Sequence, residues 1–363
     1  MENKTEFEIR PFEAKDAEGV STFIKTRFLR NSPTEIRSHE ADYYAWKYRE
    51  TDAGKPAAFV AESKGRIVGL FCVLPRTMMI HGKAHKIGET CDAYVDPEFQ
   101  GKNVFYKLVA KVLAAIKEQG ITSFYTTSNE ITMKIWTGLF RFQNVYNYHG
   151  MLRLIRPSQV LKKKMNLGVL APLFSWPVQL YYRGWFRGAQ KPEKLSVRFT
   201  QSAFDDARLD QFWKTYGLQY PASLVKNSGY HAMRFGSGPE KYQLWILESE
   251  ADVLGYVVLK YTSMFGMLCG HLIDFMVPFQ NDAALGQLLA VTLNTIKQAG
   301  GDFASLWSTP DSWMFPVLKK FGFWPRKKMV HLVVGGDILK EPEMDTLRDP
   351  AQWLFQHGDS DNV

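Results

Sequence analysis

The residues of this chain best suited to chemistry lie between Glu89 and Asn129. The run Val95-Asp96-Pro97-Glu98-Phe99-Gln100-Gly101-Lys102-Asn103-Val104-Phe105 reads as a strand end, a tight loop and the first turn of a helix. Pro97 stops strand pairing. Gly101 permits a tight backbone path, and Asn103 is among the few non-glycine residues that enter the left-handed region readily. The amides from Gln100 to Phe105 are then expected to converge at a helix N-terminus. There exposed N–H groups and the helix dipole together hold a phosphate, and Lys102 adds a positive charge. Two carboxylates, Glu89 and Asp92, stand on the strand before the loop. Alternation at period two sends them to opposite faces unless a bulge intervenes. Asn129 follows a buried strand and suits the N-cap of the next helix.

The elements that must position these groups occur twice. Tyr43–Tyr48 recurs as Tyr230–Phe235, Ile67–Phe71 as Val253–Val257, Cys91–Val95 as Ile273–Val277, and Ile116–Gly120 as Ile296–Gly300. The order is kept while the offset drifts from 187 to 180, as loop deletions produce, so the chain reads as two copies of one fold. Each copy opens with amphipathic helices, around Asp16–Thr26 and Glu40–Arg49, then Phe204–Tyr216 and Leu224–Arg234. Strands follow: Ala57–Glu62, Arg66–Leu74 and Gly88–Val95, then Gln243–Glu248, Val253–Tyr261 and Gly270–Val277. A long helix, Val104–Gln119 or Ala283–Ala299, ends at a capping glycine. It leads to a buried strand, Ser123–Thr127 or Phe303–Trp307, then to a short helix and a last strand. The expected class is α/β, two tandem domains, each a mixed and mostly antiparallel sheet flanked by helices. The expected domains are 1–156, a connector 157–195, a second domain 196–340, and a C-terminal tail 341–363. In the second copy Val277–Gly286 has no glycine where the turn needs one, and Asp282 brings a negative charge, so that half is expected to lack the phosphate cradle.

Composition bounds the class. A chain of 363 residues with 45% hydrophobic and 23% charged content has ample material for cores. The net charge of +8 suits nucleic acid, an anionic membrane surface or an anionic small ligand. No nucleic-acid-binding motif is present, which leaves the first as the weakest. Cys72, Cys91 and Cys269 sit in apolar runs and read as reduced thiols, hence a cytoplasmic protein. The N-terminus has no apolar segment of the kind a secretory signal carries. His39, His81, His85 and His149 have no ligand spacing, so no metal is expected. No Gly-x-Ser-x-Gly elbow marks a serine hydrolase. In the connector, Lys162-Lys163-Lys164 precedes Met165–Tyr182, 18 residues without a charge. An apolar joint between two domains is the favoured reading, and peripheral membrane contact through 162–187 the other.

The loop resembles the signature of the GNAT acyltransferase superfamily, Gln/Arg-x-x-Gly-x-Gly/Ala, at Gln100-Gly101-Lys102-Asn103-Val104-Phe105. Asn103 stands for the central glycine and Phe105 for the final small residue. The Val-Asp-Pro-Glu-Phe before it and the long helix after it are also GNAT-like. The chain is similar to the tandem GNAT proteins of bacterial surface-polysaccharide gene clusters, with Trp46-Lys47-Tyr48 and the closing Gly358–Asp361. The resemblance implies acetyl-CoA or another acyl-CoA as co-substrate. It places Val95, Gln100, Gly101, Lys102, Asn103, Val104, Phe105 and Asn129 at the CoA, with Val95 and Asn129 on the pantetheine arm. It further implies attack by the amine of a small acceptor, such as an amino sugar, with Asp92 or Glu89 as the base. The matching Asp274 in the degenerate copy argues for a structural role of Asp92. The family's usual tyrosine acid is missing from Thr132–Phe142, which leaves Tyr125 or Tyr146. Tyr43–Tyr48 reads as an acceptor-cleft lining or as core. Two other readings stand beside this one: a non-catalytic ligand-binding tandem GNAT protein, and a FemABX-like transferase using aminoacyl-tRNA.

Overall fold

The computed structural model describes residues 7–29, 38–164, 176–177, 197–250, 252–264 and 266–361. The chain forms two compact units. The first holds residues 1–145, 237–240 and 331–345. Its elements are β1 (Glu8–Pro11), α1 (Ala17–Arg27), α2 (Ala41–Lys47), β2 (Ala57–Ser63), β3 (Arg66–Ile80), β4 (Lys83–Val95), α3 (Val104–Lys117), β5 (Ser123–Ser128) and α4 (Glu130–Leu139). The sheet runs β1-β2-β3-β4-β5 and is completed by residues 331–336 of a late strand, which lies antiparallel to β5. Among the described residues of this sheet, only β4 and β5 pair in parallel.

α3 packs on one face of this sheet, because Val104, Leu108, Val112 and Ile116 form one stripe at helical spacing. They meet Ala61, Val68, Phe71 and Val73. Gly69 lets the helix come close, since a Cβ there stands 3.1 Å from Leu108. The other face of the sheet carries α1 and α2, with Val20, Ile24, Tyr43 and Tyr44 against Val60, Ile67 and Leu70. β3 and β4 extend well past the expected Arg66–Leu74 and Gly88–Val95. His81 (φ 47°) and Gly82 (φ 76°) make the two-residue turn that closes a long hairpin.

The second unit holds residues 146–236, 241–330 and 346–363. In chain order it contains most of β6 (Gln143–Leu154), α5 (Pro157–Lys164), β7 (Arg198–Ser202), α6 (Arg208–Tyr216), β8 (Ala222–Leu224) and α7 (Ser228–His231). There follow β9 (Tyr242–Glu248), β10 (Val253–Met264), β11 (Met267–Met276), α8 (Asp282–Gln298), β12 (Phe303–Ser308), α9 (Phe315–Lys320), the first half of β13 (Trp324–Gly336), α10 (Met344–Leu347) in part and β14 (Trp353–Leu354). Its sheet runs β6-β12-β11-β10-β9-β7, again antiparallel except for one parallel pair, β11 with β12.

The mixed α/β class with mostly antiparallel sheets is thus as expected, and the two sheets repeat one pattern. The units differ from the domains drawn on sequence. Each sheet is completed by a strand from the other half of the sequence, so 146–156 joins the second unit and 331–345 the first. Residues 346–361 are no loose tail: Asp359, Ser360 and Asp361 are buried. Helix Leu224–Arg234 was expected, but Ala222–Leu224 pairs with β14 as a strand, and α7 runs into a π-turn over Ala232–Gly236. Of the connector, Pro157–Lys164 is helical; most of the apolar run Met165–Tyr182 lies outside the described residues. No helix among the described residues is long and apolar enough to cross a membrane. Cys72, Cys91 and Cys269 are buried as thiols.

Candidate functional site

The cradle forms at the junction of β4 and α3. Asp96 is buried and its Oδ1 accepts the Glu98 N–H at 3.0 Å, which caps a single 3-10 turn over Pro97–Phe99. Arg27, at the end of α1, ties this turn down through Asp96 at 3.0 Å and Glu98 at 2.9 Å. Phe99 anchors it in the core. Beyond it Gly101 has φ +76°, and Asn103 takes the left-handed conformation at φ 61°, ψ 15° as the N-cap of α3. An asparagine in that conformation turns its side chain away from the helix. Asn103 makes no side-chain cap, and its carbonyl accepts the Lys107 N–H at 3.0 Å. Among the described residues the first N–H groups of α3 have no side-chain cap, next to the exposed Gln100, Gly101 and Lys102. The expected convergence of all amides from Gln100 to Phe105 is corrected at two positions: the Gln100 and Lys102 N–H groups donate to the Pro97 and Phe99 carbonyls at 3.3 and 3.4 Å, closing the tight turn.

Phe105 departs from the small residue of the GNAT pattern without filling the cradle. Its ring turns inward to an aromatic cluster, 5.9 Å from Phe71, 6.2 Å from Trp136 and 6.1 Å from Phe140. Its amide stays in the first turn. Val104 is buried in the α3 stripe. The Lys102 ammonium rests 4.9 Å from the Phe99 ring centre.

Beside the cradle β4 and β5 separate. Their parallel pairing is Gly88 with Phe124 and Glu89 with Tyr125. Thr126 Oγ1 then donates to the Thr90 carbonyl at 2.9 Å, and past that point Ala93 is exposed and Val95 half-buried. No side chain among the described residues hydrogen-bonds to the backbone of Ala93 or Val95.

At the separation β4 carries a bulge. Leu70 pairs with Tyr94 and Cys72 with Cys91, so Asp92 and Ala93 together face Phe71. Asp92 has φ 52°. The bulge corrects the expectation that Glu89 and Asp92 point apart. Glu89 stands opposite Leu74 and Cys91 opposite Cys72, on the face covered by Tyr48, and Asp92 reaches the same side. Asp92 Oδ2 accepts from Lys47 Nζ and from the Tyr48 hydroxyl at 2.7 Å. Burial, then the Asp92 charge, hold the Tyr48 hydroxyl far above its ordinary range, so it stays a donor. Glu89 Oε2 accepts from Arg76 Nη2 at 2.7 Å and Nε at 3.1 Å. Both carboxylates are therefore held in buried ion pairs.

The second unit repeats the first of these pairs. There Asp274, after a bulge between Val258 and Leu259 in the β10 register, binds Lys226 and accepts from the Tyr256 hydroxyl at 3.0 Å. Both units thus hold an aspartate beside a bulge with a lysine and a tyrosine, though Asp274 itself pairs with Val258 and the extra residue is Ile273. Arg76 and Arg27 carry no sequence signal for this site, and Lys47 enters from sequence only within Trp46-Lys47-Tyr48, with no charge partner assigned. The signal for Lys47 was its place: at helical spacing it shares the buried face of α2 with Tyr43 and Tyr44. The same fact decides the reading of Tyr43–Tyr48. Tyr43 and Tyr44 are core, and Trp46 packs against Gly238.

Asn129 is the N-cap of α4, its Oδ1 accepting from Thr132 N at 3.0 Å and Thr132 Oγ1 at 3.1 Å. Of its two readings the cap is formed. Tyr125 is fully buried on β5. Tyr146 belongs to the second unit, where burial drives its hydroxyl far above the ordinary range. Trp136 fills the core. In the second unit the end of α8 is closed, as Asn281 accepts the Ala284 N–H at 2.9 Å.

Residues 8–134 match the family model of the acetyltransferase (GNAT) domain. No curated protein sequence matches the chain. Among solved structures, Saccharomyces cerevisiae N-myristoyltransferase with bound myristoyl-CoA is similar at TM-score 0.63 and 11% identity, over 93% of this chain and 81% of that one. A GCN5-related N-acetyltransferase from Anabaena variabilis is similar at TM-score 0.59 and 10% identity, over 91% and 72%. A probable N-acyltransferase from Enterococcus faecalis is similar at TM-score 0.60 and 7% identity, over 92% and 72%. At such identities the likeness is one of fold, and it spans both units.

Proposed function

We propose that the chain is an acyl-CoA-dependent N-acyltransferase with one co-substrate site, in the first unit. The observation that carries this is the start of α3, where left-handed Asn103 leaves the first amides without a side-chain acceptor. The phosphates of acyl-CoA sit on the amides of Gly101 and of Asn103 to Phe105, with the Lys102 side chain beside them. The pantetheine arm lies along the open edge of β4 at Ala93–Val95, by strand-like pairing. The acyl group is acetyl and the acceptor is the amine of a small molecule, an amino sugar being the best match to the family resemblance. The compartment is the cytoplasm.

In the transfer step the amine nitrogen bonds to the thioester carbon, the carbon–sulfur bond breaks, the amine loses a proton and the CoA thiolate gains one. Asp92 and Glu89 are the carboxylates nearest that step in sequence. Either becomes a base only by releasing its present partners, Lys47 and Tyr48 or Arg76. In this reading they hold the β4 bulge, and the amine proton leaves through water. A pH–rate profile of Asp92→Asn separates the roles: loss of the acidic limb marks a base, and retention of the limb with lower stability marks a support.

The same ion pairs favour a second reading, a protein that binds acyl-CoA without turnover. Titration calorimetry with acetyl-CoA and desulfo-CoA, followed by CoA release in the presence of an amine panel, decides between them. Binding with release is expected. Binding without release for any amine supports the second reading. Absence of binding, with activity on aminoacyl-tRNA, overturns both.

A further inference from the structure

The second unit keeps the parting of two parallel strands that the first unit uses, and something lies in it. β11 and β12 pair at Cys269–His271 with Phe303–Ser305 and then separate. By the internal repeat, Phe275 and Val277 match Ala93 and Val95 of the first unit. Yet Ala93 is exposed and Val95 half-buried, while Phe275 and Val277 are buried.

Residues of the same unit account for the difference. The Phe275 N–H donates to the side-chain oxygen of Gln356 at 2.5 Å. The His357 ring stacks on Trp307 of β12, centroids 4.0 Å apart and planes at 23°. Gly358 lies against Asp274 and Ile273: a Cβ there stands 3.2 Å from the Asp274 Cβ and 3.2 Å from the Ile273 carbonyl. Asp359 accepts from Lys226 at 2.6 Å, and Arg234 donates to the carbonyls of Gly358 and Ser360 at 3.3 and 2.7 Å. The Val277 carbonyl is taken by the Tyr220 hydroxyl at 2.8 Å. Strand edge, cleft wall and helix end are all satisfied from within.

We propose that Gln356–Ser360 is a built-in peptide ligand of the second unit's cleft, lying where the first unit takes the pantetheine arm. The comparison with pantetheine rests on the acyl-CoA reading of the first unit; the peptide in its cleft rests on the contacts above. The Gln356 side-chain amide supplies the acceptor oxygen that an amide of pantetheine supplies in the first unit. Asp359 completes the charge balance of buried Lys226, which a vacated cleft leaves with Asp274 alone. The second half is thus a peptide-filled copy of a co-substrate site, kept for the fold.

The test needs no CoA, so its failure is separate from failure of the acyl-CoA reading. A protease recognition sequence replaces the exposed Lys340–Pro342 turn in the full chain, and the chain is cut. The fragment beginning after the cut is expected to stay with the body on size-exclusion chromatography. After stripping in mild denaturant, synthetic peptide 344–363 is expected to rebind, and the Gln356→Ala, Gly358→Val peptide at least about tenfold more weakly. If the stripped body precipitates, hydrogen exchange of uncut Gly358→Val is read at Phe275, where at least about tenfold faster exchange is expected. A fragment that leaves freely while the body keeps its melting temperature overturns the proposal. So does unchanged exchange at Phe275 in Gly358→Val.

Discussion

Replacing Gly101 by aspartate is the sharpest test of the cradle. A Cβ at Gly101 meets nothing within 4 Å, so packing does not oppose the change. Its φ of +76° does; a non-glycine residue there costs about 1 kcal/mol of stability. Alanine bears the same backbone cost and serves as the control. The aspartate adds a negative charge where the account places phosphates. At about 6 Å and an effective dielectric of about 40, each phosphate charge repels it by roughly 1.4 kcal/mol. Two such charges give about 3 kcal/mol, and salt at physiological strength screens part of it. The expected result is roughly 10- to 100-fold weaker acetyl-CoA binding for Gly101→Asp, and less than about threefold for Gly101→Ala. Calorimetry at low and high salt reads both the loss and its screening. Equal affinity of the aspartate variant and wild type, with both folded, refutes the reasoning. Equal losses for alanine and aspartate refute the electrostatic part of it.

Other expectations follow from the buried charges and caps. Lys47→Met leaves Asp92 buried without its cation and should destabilise the first unit by about 3–5 kcal/mol; a urea midpoint within error of wild type contradicts the ion pair's structural role. Asn281→Ala removes the cap of α8 at a cost of about 1 kcal/mol, and acetyl-CoA stoichiometry should stay at about one, because the strand edge remains occupied; a second site in calorimetry contradicts this. Burial lowers His231 and His271 to about 4. Their contribution is full above the ordinary value of 6.5 and is lost as pH falls through 4, up to about 3 kcal/mol each. Asp359 acts in the opposite sense: burial raises it to about 6 against the pull of Lys226, so its contribution is full below the ordinary carboxylate range and is lost as pH rises through 6. Urea unfolding should therefore show a net loss of second-unit stability between pH 7 and 4.5, and stability that rises on acidification contradicts the neutral histidines.

Much of the fold was legible because its signals are local. The stripe Val104-Leu108-Val112-Ile116 announces α3, and the left-handed path at Gly101 and Asn103 follows from residue type. What sequence concealed was long-range. Nothing local says that 331–336 pairs with β5 and 149–154 with β12, since a strand's partner is chosen by sheet edges far along the chain. Glu89 and Asp92 share a face because one extra residue in β4 shifts the alternation, the exception the sequence leaves open, since a bulge has no firm sequence mark. Phe105 replaces the small residue of the family pattern, and only the fold places its ring among Phe71, Trp136 and Phe140, away from the loop amides. Gly358–Asp361 was noted as a closing motif; its burial against β11 depends on Arg234 and Lys226, more than a hundred residues away.

The central claim is a single acyl-CoA site on the first unit, and hydrogen exchange with and without acetyl-CoA addresses it most directly. The account predicts slower exchange across residues 93–106 on adding acetyl-CoA, and no change across 275–286. Protection confined to 275–286, or none in either segment at saturating acetyl-CoA, contradicts it.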